Sequence, residues 1–162
     1  MNDIEELLTV LKNKFGEEIY EVKTPKPRRV YMEVKTESLR KILSYLKNDL
    51  GFDHISTITG LDSGQFIELI YHIVYEDSLV LSIKIKIPRN DPRIHTVSDI
   101  YPSAELYERE IYDLLGVLFD GHPENTRLIL PEDWPKGLYP LRKDITLKQI
   151  SSILDKGGVK EE

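Results

Sequence analysis

The sequence predicts an α+β fold: a two-layer domain with helices on one face of a mostly antiparallel sheet, followed by a helix and an extended C-terminal arm. Residues 67–75 and 79–87 carry apolar side chains at every second position, which indicates the two strands of a hairpin. Two earlier segments carry apolar residues at helical spacing and would cover the sheet. Hydrophobic residues make up 40% of the 162 residues, which is sufficient for one core.

The first two helices are predicted from apolar residues three or four positions apart. Asn2 or Asp3 is the expected start of the first helix, and Gly16 is its expected end. Thr36 is the expected N-cap of the second helix, and Gly51 the expected stop. The apolar positions of the two helices are Ile4, Leu7, Leu8, Leu11 and Phe15, then Leu39, Ile42, Leu43, Leu46 and Leu50.

Five segments have the patterns of strands. Residues 17–23 and 28–35 flank the turn sequence TPKP, and residues 54–61 form a third strand. The hairpin 67–75 and 79–87 turns at the sequence EDS and keeps one wet face, which includes Ser82, Lys84 and Lys86. Pro88 ends the sheet, and the segment 88–102 is expected to be a loop.

The last third of the chain divides into a helix, an arm and a tail. A third helix is predicted from Ser103 to Leu115, stopping at Gly116. The arm (116–145) is rich in proline and lacks a regular apolar period. Thr146 is the expected cap of a short last helix, and the tail from Gly157 is expected to fray. The predicted units are therefore the body 1–102, the signature helix with the arm 103–145, and the tail 146–162.

Composition argues against several classes of protein. The net charge is −6, without the basic excess expected of a nucleic-acid-binding protein. There is no cysteine, which excludes disulfides and any Fe–S cluster held by this chain alone. The beginning lacks the pattern of a signal peptide, and charged residues interrupt the most apolar region, 66–87, so no membrane-spanning segment is expected.

The sequence offers little support for independent catalysis. Phosphate-binding loops are absent, and none of His54, His72, His95 and His122 has a second ligand at metal-site spacing. We expect His72 to be a partly exposed sheet residue. A hydrolase triad of Ser103, His122 and Asp133 can be written down, but the G-x-S-x-G elbow is missing.

The third helix also carries charged residues on one face. Glu110 and Asp113 are three positions apart and share a helix face, so they are a candidate acid–base pair. Glu105, Arg109 and Asp113 follow at four-residue steps, which is typical of a surface ion ladder. The ladder is the expected interpretation unless the helix is buried.

The arm has the residue types that anchor protein interfaces. Phe119, Arg127, Trp134, Tyr139 and Arg142 are aromatic residues or arginines, which are enriched at binding hot spots. A segment this long without a period has no core of its own, and its aromatic content argues against disorder. We therefore expect the arm to lie against another surface.

Two motifs in this region resemble the 30-kDa-subunit family of respiratory complex I, which is shared with energy-converting membrane-bound NiFe hydrogenases. The first is E-R-E-x-x-D, two apolar residues and G, then G-H-P, a basic residue and an aliphatic pair. The second is P-x-D-W, then G, then P-L-R-K-D. The matching residues are Glu108, Arg109, Glu110, Asp113, Leu114, Leu115, Gly116, Gly121, His122, Pro123, Arg127, Leu128 and Ile129, then Pro131, Asp133, Trp134, Gly137, Pro140, Leu141, Arg142, Lys143 and Asp144.

This resemblance implies a non-catalytic subunit without a cofactor or metal. It would lie in the peripheral arm of the complex, at the cytoplasmic face of the membrane, and reach the membrane only through its partners. It would dock on the hydrogenase-large-subunit homologue, which forms the quinone site or carries the Ni–Fe centre, beside an Fe–S subunit. The candidate docking residues are Arg109, His122, Arg127, Asp133, Trp134, Tyr139, Arg142 and Lys143.

Alternatives remain open at this point. The short, cysteine-free chain with many Lys, Glu and Ile residues favours a hydrogenase-like or ferredoxin-linked archaeal complex over complex I itself. A stand-alone adaptor domain for a soluble partner is the main alternative outside this family. The small hydrolase that uses Ser103, His122 and Asp133 is the third.

Overall fold

A computed structural model describes residues 4–76 and 79–157 of the chain. The expected start signals Asn2 and Asp3, most of the EDS turn, and the tail 158–162 lie outside the described residues. The helices are α1 (Ile4–Phe15), α2 (Leu39–Leu50), α3 (Ala104–Leu115) and α4 (Leu147–Gly157), and the strands are β1 (Ile19–Lys26), β2 (Arg29–Val34), β3 (His54–Asp62), β4 (Phe66–Tyr75), β5 (Leu79–Pro88), β6 (Arg93–His95) and β7 (Leu118–Asp120).

Five strands form one sheet in the order β1-β2-β5-β4-β3. β4 pairs with β5 as the predicted antiparallel hairpin, and β1–β2 and β3–β4 are also antiparallel. β2 and β5 run parallel, and α2, β3 and β4 lie between them in the chain and form the long connection that a parallel pair needs. The mostly antiparallel sheet is thus confirmed, and β3 and β1 are its edges.

One face of the sheet is covered by helices. The alternating apolar residues of β4 and β5 are buried there, together with Leu7 and Leu11 of α1 and the apolar stripe of α2. α3 packs on the same face over β3, where a Cβ on Gly60 would lie 2.5 Å from Leu115 Cδ1. Helices on one face, as predicted, give the two-layer arrangement of an α+β domain.

The opposite face of the sheet carries polar pairs. Glu33 forms ion pairs with Lys84 at 2.6 Å and with Lys86 at 2.8 Å. His72 Nδ1 lies 2.9 Å from Ser82 Oγ, and its Nε2 lies 3.2 Å from Thr59 Oγ1. His72 is half-buried, and this burial lowers its pKa. The prediction of a partly exposed sheet histidine is confirmed.

Helix ends agree with the sequence in most places. Gly51 and Gly116 adopt positive φ angles of 74° and 73° and end α2 and α3 as predicted. At the start of α4, the Thr146 hydroxyl accepts the Gln149 N–H and the Gln149 side-chain oxygen accepts the Thr146 N–H, as expected of a cap. The predicted Thr36 cap was wrong, because its hydroxyl donates to Lys86 O at 2.9 Å instead.

The loop expected at 88–102 contains a strand. β6 pairs in parallel with β7 from the beginning of the arm, in the register Ile94 to Phe119. Both of these residues are buried. β6 and β7 have only three residues each, which is too short for a periodic pattern to show in the sequence. The two strands also lie far apart in the chain, so no turn signal joins them.

α3 and the start of the arm join the core of the body. Ala104, Ile111 and Leu115 belong to the same buried cluster as the sheet, together with Val117 and Phe119. The division of the chain into a body (1–102) and a following unit stays a prediction. No helix among residues 4–76 and 79–157 is long and apolar enough to cross a membrane.

Candidate functional site: the third helix and its clamped arm

The signature helix α3 holds the arm through its acidic and basic side chains. Asp113 is 2% exposed, and its Oδ2 accepts the backbone N–H groups of Leu128 and Ile129 at 2.8 Å and of Leu130 at 3.1 Å. This oxygen ties three consecutive residues of the arm to the helix.

Arg109 holds the residues just before this point. Its Nη2 donates to Arg127 O at 2.9 Å and to Thr126 Oγ1 at 3.1 Å, and its Nη1 lies 3.2 Å from Glu124 Oε2. The side chain is only 14% exposed, so the helix is buried on this face. The predicted ladder of Glu105, Arg109 and Asp113 was wrong, because Arg109 and Asp113 each bind the arm.

Glu108 anchors the segment that precedes α3. The residue is 0% exposed, accepts a hydrogen bond from the Thr96 hydroxyl, and accepts the Val97 N–H at 2.8 Å. Burial raises the pKa of Glu108 to about 7, although the hydrogen bonds from Thr96 and Val97 act in the opposite direction. Glu108 therefore links α3 to the end of β6 and changes charge near neutral pH.

His122 is bound on both ring nitrogens. The Glu124 N–H donates to Nδ1 at 3.0 Å, so the ring proton sits on Nε2, which lies 3.1 Å from Glu105 O. The same Nε2 lies 3.8 Å from Glu108 Oε2. The G-H-P turn is thus fastened to α3, in a part of the site that is almost fully buried.

The arm closes on itself between Arg127 and Leu138. Arg127 Nη2 donates to Trp134 O at 2.8 Å, and Trp134 Nε1 donates to Leu138 O at 2.8 Å. Arg127 and Trp134 are both half-buried. These two bonds fold the P-x-D-W motif into a compact turn whose outer rim includes the exposed residue Asp133.

The arm then returns to the C-terminal end of α3. Arg142 Nε donates to Leu115 O at 2.8 Å, and its guanidinium carbon lies 4.7 Å from the centroid of the Tyr139 ring. A cation beside the last carbonyls of a helix is favourable. Tyr139 covers Gly116, where a Cβ would lie 2.4 Å from the ring, so glycine is required for this close approach.

Asp62 also holds the arm, although neither sequence motif includes this residue. Asp62 is 2% exposed and accepts the Lys143 N–H at 2.9 Å, the Gly64 N–H at 2.8 Å and Arg89 Nε at 2.9 Å. Arg89 also binds Asp144 at 2.6 Å. Burial alone would raise the pKa of Asp62, but these bonds outweigh burial and lower the pKa to about 2. Asp62 fastens the end of the arm to the end of β3.

A cavity lies between α3 and the turn of the arm. Its volume is about 370 Å³, and its walls combine tyrosine rings with charged groups. The residues are Tyr112, Asp113, Arg127, Lys136, Leu138 and Tyr139, with Pro135 and Gly137. Among residues 4–76 and 79–157, no group of three or more histidine, aspartate or glutamate side chains could hold a metal ion.

The structure brings most of the predicted docking residues into one network of α3 and the arm. These residues are Arg109, His122, Arg127, Trp134, Tyr139 and Arg142. Lys143 instead bonds Asp62 of β3 through its backbone N–H. Asp133 lies apart on the exposed rim. The hydrolase triad is not assembled: Ser103 Oγ donates to Ile55 O at 3.4 Å, and both His122 nitrogens have backbone partners.

Residues 32–151, which include this network, match the family described as the 30-kDa subunit of the respiratory-chain NADH dehydrogenase. The chain belongs to this 30-kDa subunit family. Its sequence is 39% identical over 145 residues to a subunit of the F(420)H(2) dehydrogenase of Methanosarcina mazei, with coverage of 88% of this chain and 91% of the relative. The resemblance predicted from the two motifs is confirmed.

Further proteins that are similar to this chain differ in length. A subunit of the NADH-quinone oxidoreductase of Chloroherpeton thalassium is 30% identical over 149 residues, which are 87% of this chain and 60% of that relative. A chain of the membrane-bound sulfane sulfur reductase, an archaeal respiratory membrane complex, superimposes with a TM-score of 0.76 at 31% identity. That match covers 98% of this chain and 93% of the other. These relatives are thus subunits of respiratory electron-transport complexes.

Proposed function

We propose that this chain is a non-catalytic subunit, without a cofactor of its own, that docks on the hydrogenase-large-subunit homologue of a respiratory complex. The observation that carries the proposal is the clamped arm. A segment of about 30 residues is fixed to α3 and β3 by contacts within the chain, which involve Asp113, Arg109, Arg142 and Asp62. A surface that its own chain holds in place lowers the conformational entropy that docking costs.

Arg127, Trp134 and Arg142 make their side-chain hydrogen bonds within the chain, so the outer surface of the arm is the part available to a partner. That surface has exposed apolar side chains: Leu128 is 38% exposed and Ile129 is 55% exposed. Asp133 and Lys143 are exposed charged residues of the same arm. An apolar patch with a polar rim is typical of a protein interface. We propose that the inner members of the candidate docking residues shape this surface and the outer ones contact the partner.

We further propose that the complex resembles the F(420)H(2) dehydrogenase more than the NADH-quinone oxidoreductase. The chain is 39% identical to the Methanosarcina F(420)H(2) dehydrogenase subunit, against 30% for the Chloroherpeton subunit. The partner would be the large-subunit homologue with a neighbouring Fe–S subunit, at the cytoplasmic face of the membrane. Neighbouring genes for these subunits are the first thing to look for.

The test is co-purification of the tagged full-length chain from the membranes of its host. Recovery of a large-subunit homologue and an Fe–S subunit in stoichiometric amounts is the expected result. Ile129→Asp should reduce this recovery at least tenfold, since a charged residue in an interface core costs more than ~1.4 kcal/mol. Leu106→Asp is the matched control, because Leu106 is 54% exposed but lies on α3 outside the arm. Recovery of the chain alone would contradict the proposal.

A further inference from the structure

The edge of β3 carries an unpaired stretch of backbone in its middle. β3 is the last strand of the sheet and pairs only with β4. The Ser63 N–H donates to Phe66 O at 2.9 Å, which makes that pair a hydrogen-bonded one. Antiparallel pairs alternate, so Leu61 and Thr59 also bond β4, whereas Ile58 and Gly60 direct their N–H and C=O groups away from the sheet.

Both ends of this edge are closed by the chain itself. At the beginning, Tyr107 Oη donates to Ser56 O at 2.7 Å, and Ser103 Oγ donates to Ile55 O at 3.4 Å. At the end, the Asp62 carboxylate binds the Lys143 N–H of the arm. Among the described residues, no hydrogen bond reaches the outward backbone groups of Ile58 or Gly60.

The open stretch lacks the usual protection of an edge strand. Residues 57–61 are Thr-Ile-Thr-Gly-Leu, without a charge or a proline. The other edge strand, β1, carries Glu21, Lys23 and Pro25 in the same role. Edge strands in soluble proteins normally carry such residues, because an unprotected edge recruits another strand.

A groove of about 230 Å³ lies beside the open edge. Its walls are formed by Thr57, Thr59 and Gly60 of β3, by Glu110 and Leu114 of α3, and by Leu141 of the arm. Leu141 is 56% exposed and Glu110 is also exposed. The groove therefore has an apolar wall with one acidic residue at its lip, next to backbone groups without a partner.

The geometry points to strand addition: an extended segment of a partner subunit pairs with Ile58 and Gly60 of β3. Ile58 and Gly60 present outward N–H and C=O groups two residues apart. An extended chain presents its own N–H and C=O groups with the same two-residue period, so the two backbones can pair. The segment would place an apolar side chain against Leu141 and a basic one near Glu110, by charge complementarity. This inference rests on the proposed function, since it assumes the partner subunit.

The test is residue-resolved hydrogen exchange in the isolated full-length chain and in the purified complex. We expect the Gly60 amide to exchange rapidly in the isolated chain and at least about tenfold more slowly in the complex. The Thr59 amide, which faces β4, is the internal control and should be slow in both. Leu141→Glu should lower recovery of the complex at least tenfold, whereas Leu106→Glu, at a similarly exposed leucine outside the groove, should not.

The possible results separate this inference from the proposed function. If the complex assembles and the Gly60 amide still exchanges rapidly, strand addition at β3 is wrong and the docking function stands. If no partner co-purifies, both fail. If the isolated chain is a dimer in sedimentation and its Gly60 amide is already slow, the occupant is a second copy, and the partner segment is excluded.

Discussion

The clamp at Asp113 gives a direct test of how the arm is held. Its Oδ2 accepts three backbone N–H groups from residues 128–130 at 2.8–3.1 Å. Asp113→Ala removes the acceptor for all three donors. A hydrogen bond to a charged group contributes about 1.5–3 kcal/mol, but Leu128 and Ile129 are exposed enough for water to replace part of it. We expect the free energy of unfolding to fall by about 3 kcal/mol, which is nearer to the contribution of one such hydrogen bond than to that of three.

Asp113→Asn separates the acceptor from the charge. An asparagine can keep its carbonyl oxygen at the position of Oδ2, so the three bonds persist as neutral ones, which are roughly half as strong. The amide NH2 would take the place of Oδ1, which is buried without a hydrogen-bond partner and adds a cost of its own. We expect a total loss of about 2 kcal/mol, still smaller than for alanine. Asp133→Ala is the control, because Asp133 is exposed on the rim of the arm and should change stability by less than ~0.5 kcal/mol.

The assay is urea denaturation followed by fluorescence and by far-ultraviolet circular dichroism. The chain has one tryptophan, Trp134, and it lies in the arm, so fluorescence reports the arm and dichroism reports the whole fold. In Asp113→Ala the fluorescence transition should move to lower urea than the dichroism transition, because the arm detaches first. Equal losses for the alanine and asparagine variants, or no loss in either, would refute the role assigned to this carboxylate.

Three further predictions concern the other contacts. The pKa of Glu108 is raised to about 7, so the protonated side chain stabilises the fold below pH 4.5, and this contribution, up to about 3 kcal/mol, is lost as pH rises through 7. Glu108→Gln should therefore make the stability depend less on pH, which melts at several pH values would measure. With its pKa lowered to about 2, Asp62 contributes stability above pH 3.8 that is lost towards pH 2, so Asp62→Asn should move acid unfolding to higher pH. Gly116→Ala should cost more than ~1 kcal/mol in urea titrations, because its φ is +73° and Tyr139 lies 2.4 Å from the added methyl.

Local sequence patterns were sufficient to predict a large part of the fold. The hairpin β4–β5, the apolar stripes of α1 and α2, and the terminal glycines Gly51 and Gly116 all follow from spacing or from backbone conformation. Errors occurred where a distant partner competes for a residue. Thr36 bonds Lys86 O, and β6 finds its partner in β7, about 25 positions later in the chain.

Distant partners also explain which contacts of the site could not be predicted. Arg109 and Asp113 stand at the spacing of a surface ion ladder, and nothing in the helix alone shows that the arm will fold back over them. Asp62 lies at the end of an ordinary strand, and it becomes a clamp only because the arm ends beside it. The motifs indicated the family, but the partners of these side chains required the tertiary structure.

The inner charged residues and the outer apolar residues of this region have different consequences for an interface. Charges that hold the arm from inside the chain, such as Arg109 and Asp113, act on its shape, so their substitution should first loosen the arm and affect assembly through that shape. Exposed residues such as Ile129 and Leu141 contribute little to the isolated fold, so their substitution should affect assembly alone. A motif whose polar residues face inward can thus mark a docking surface without touching the partner, because what it fixes is the backbone that carries the contacts.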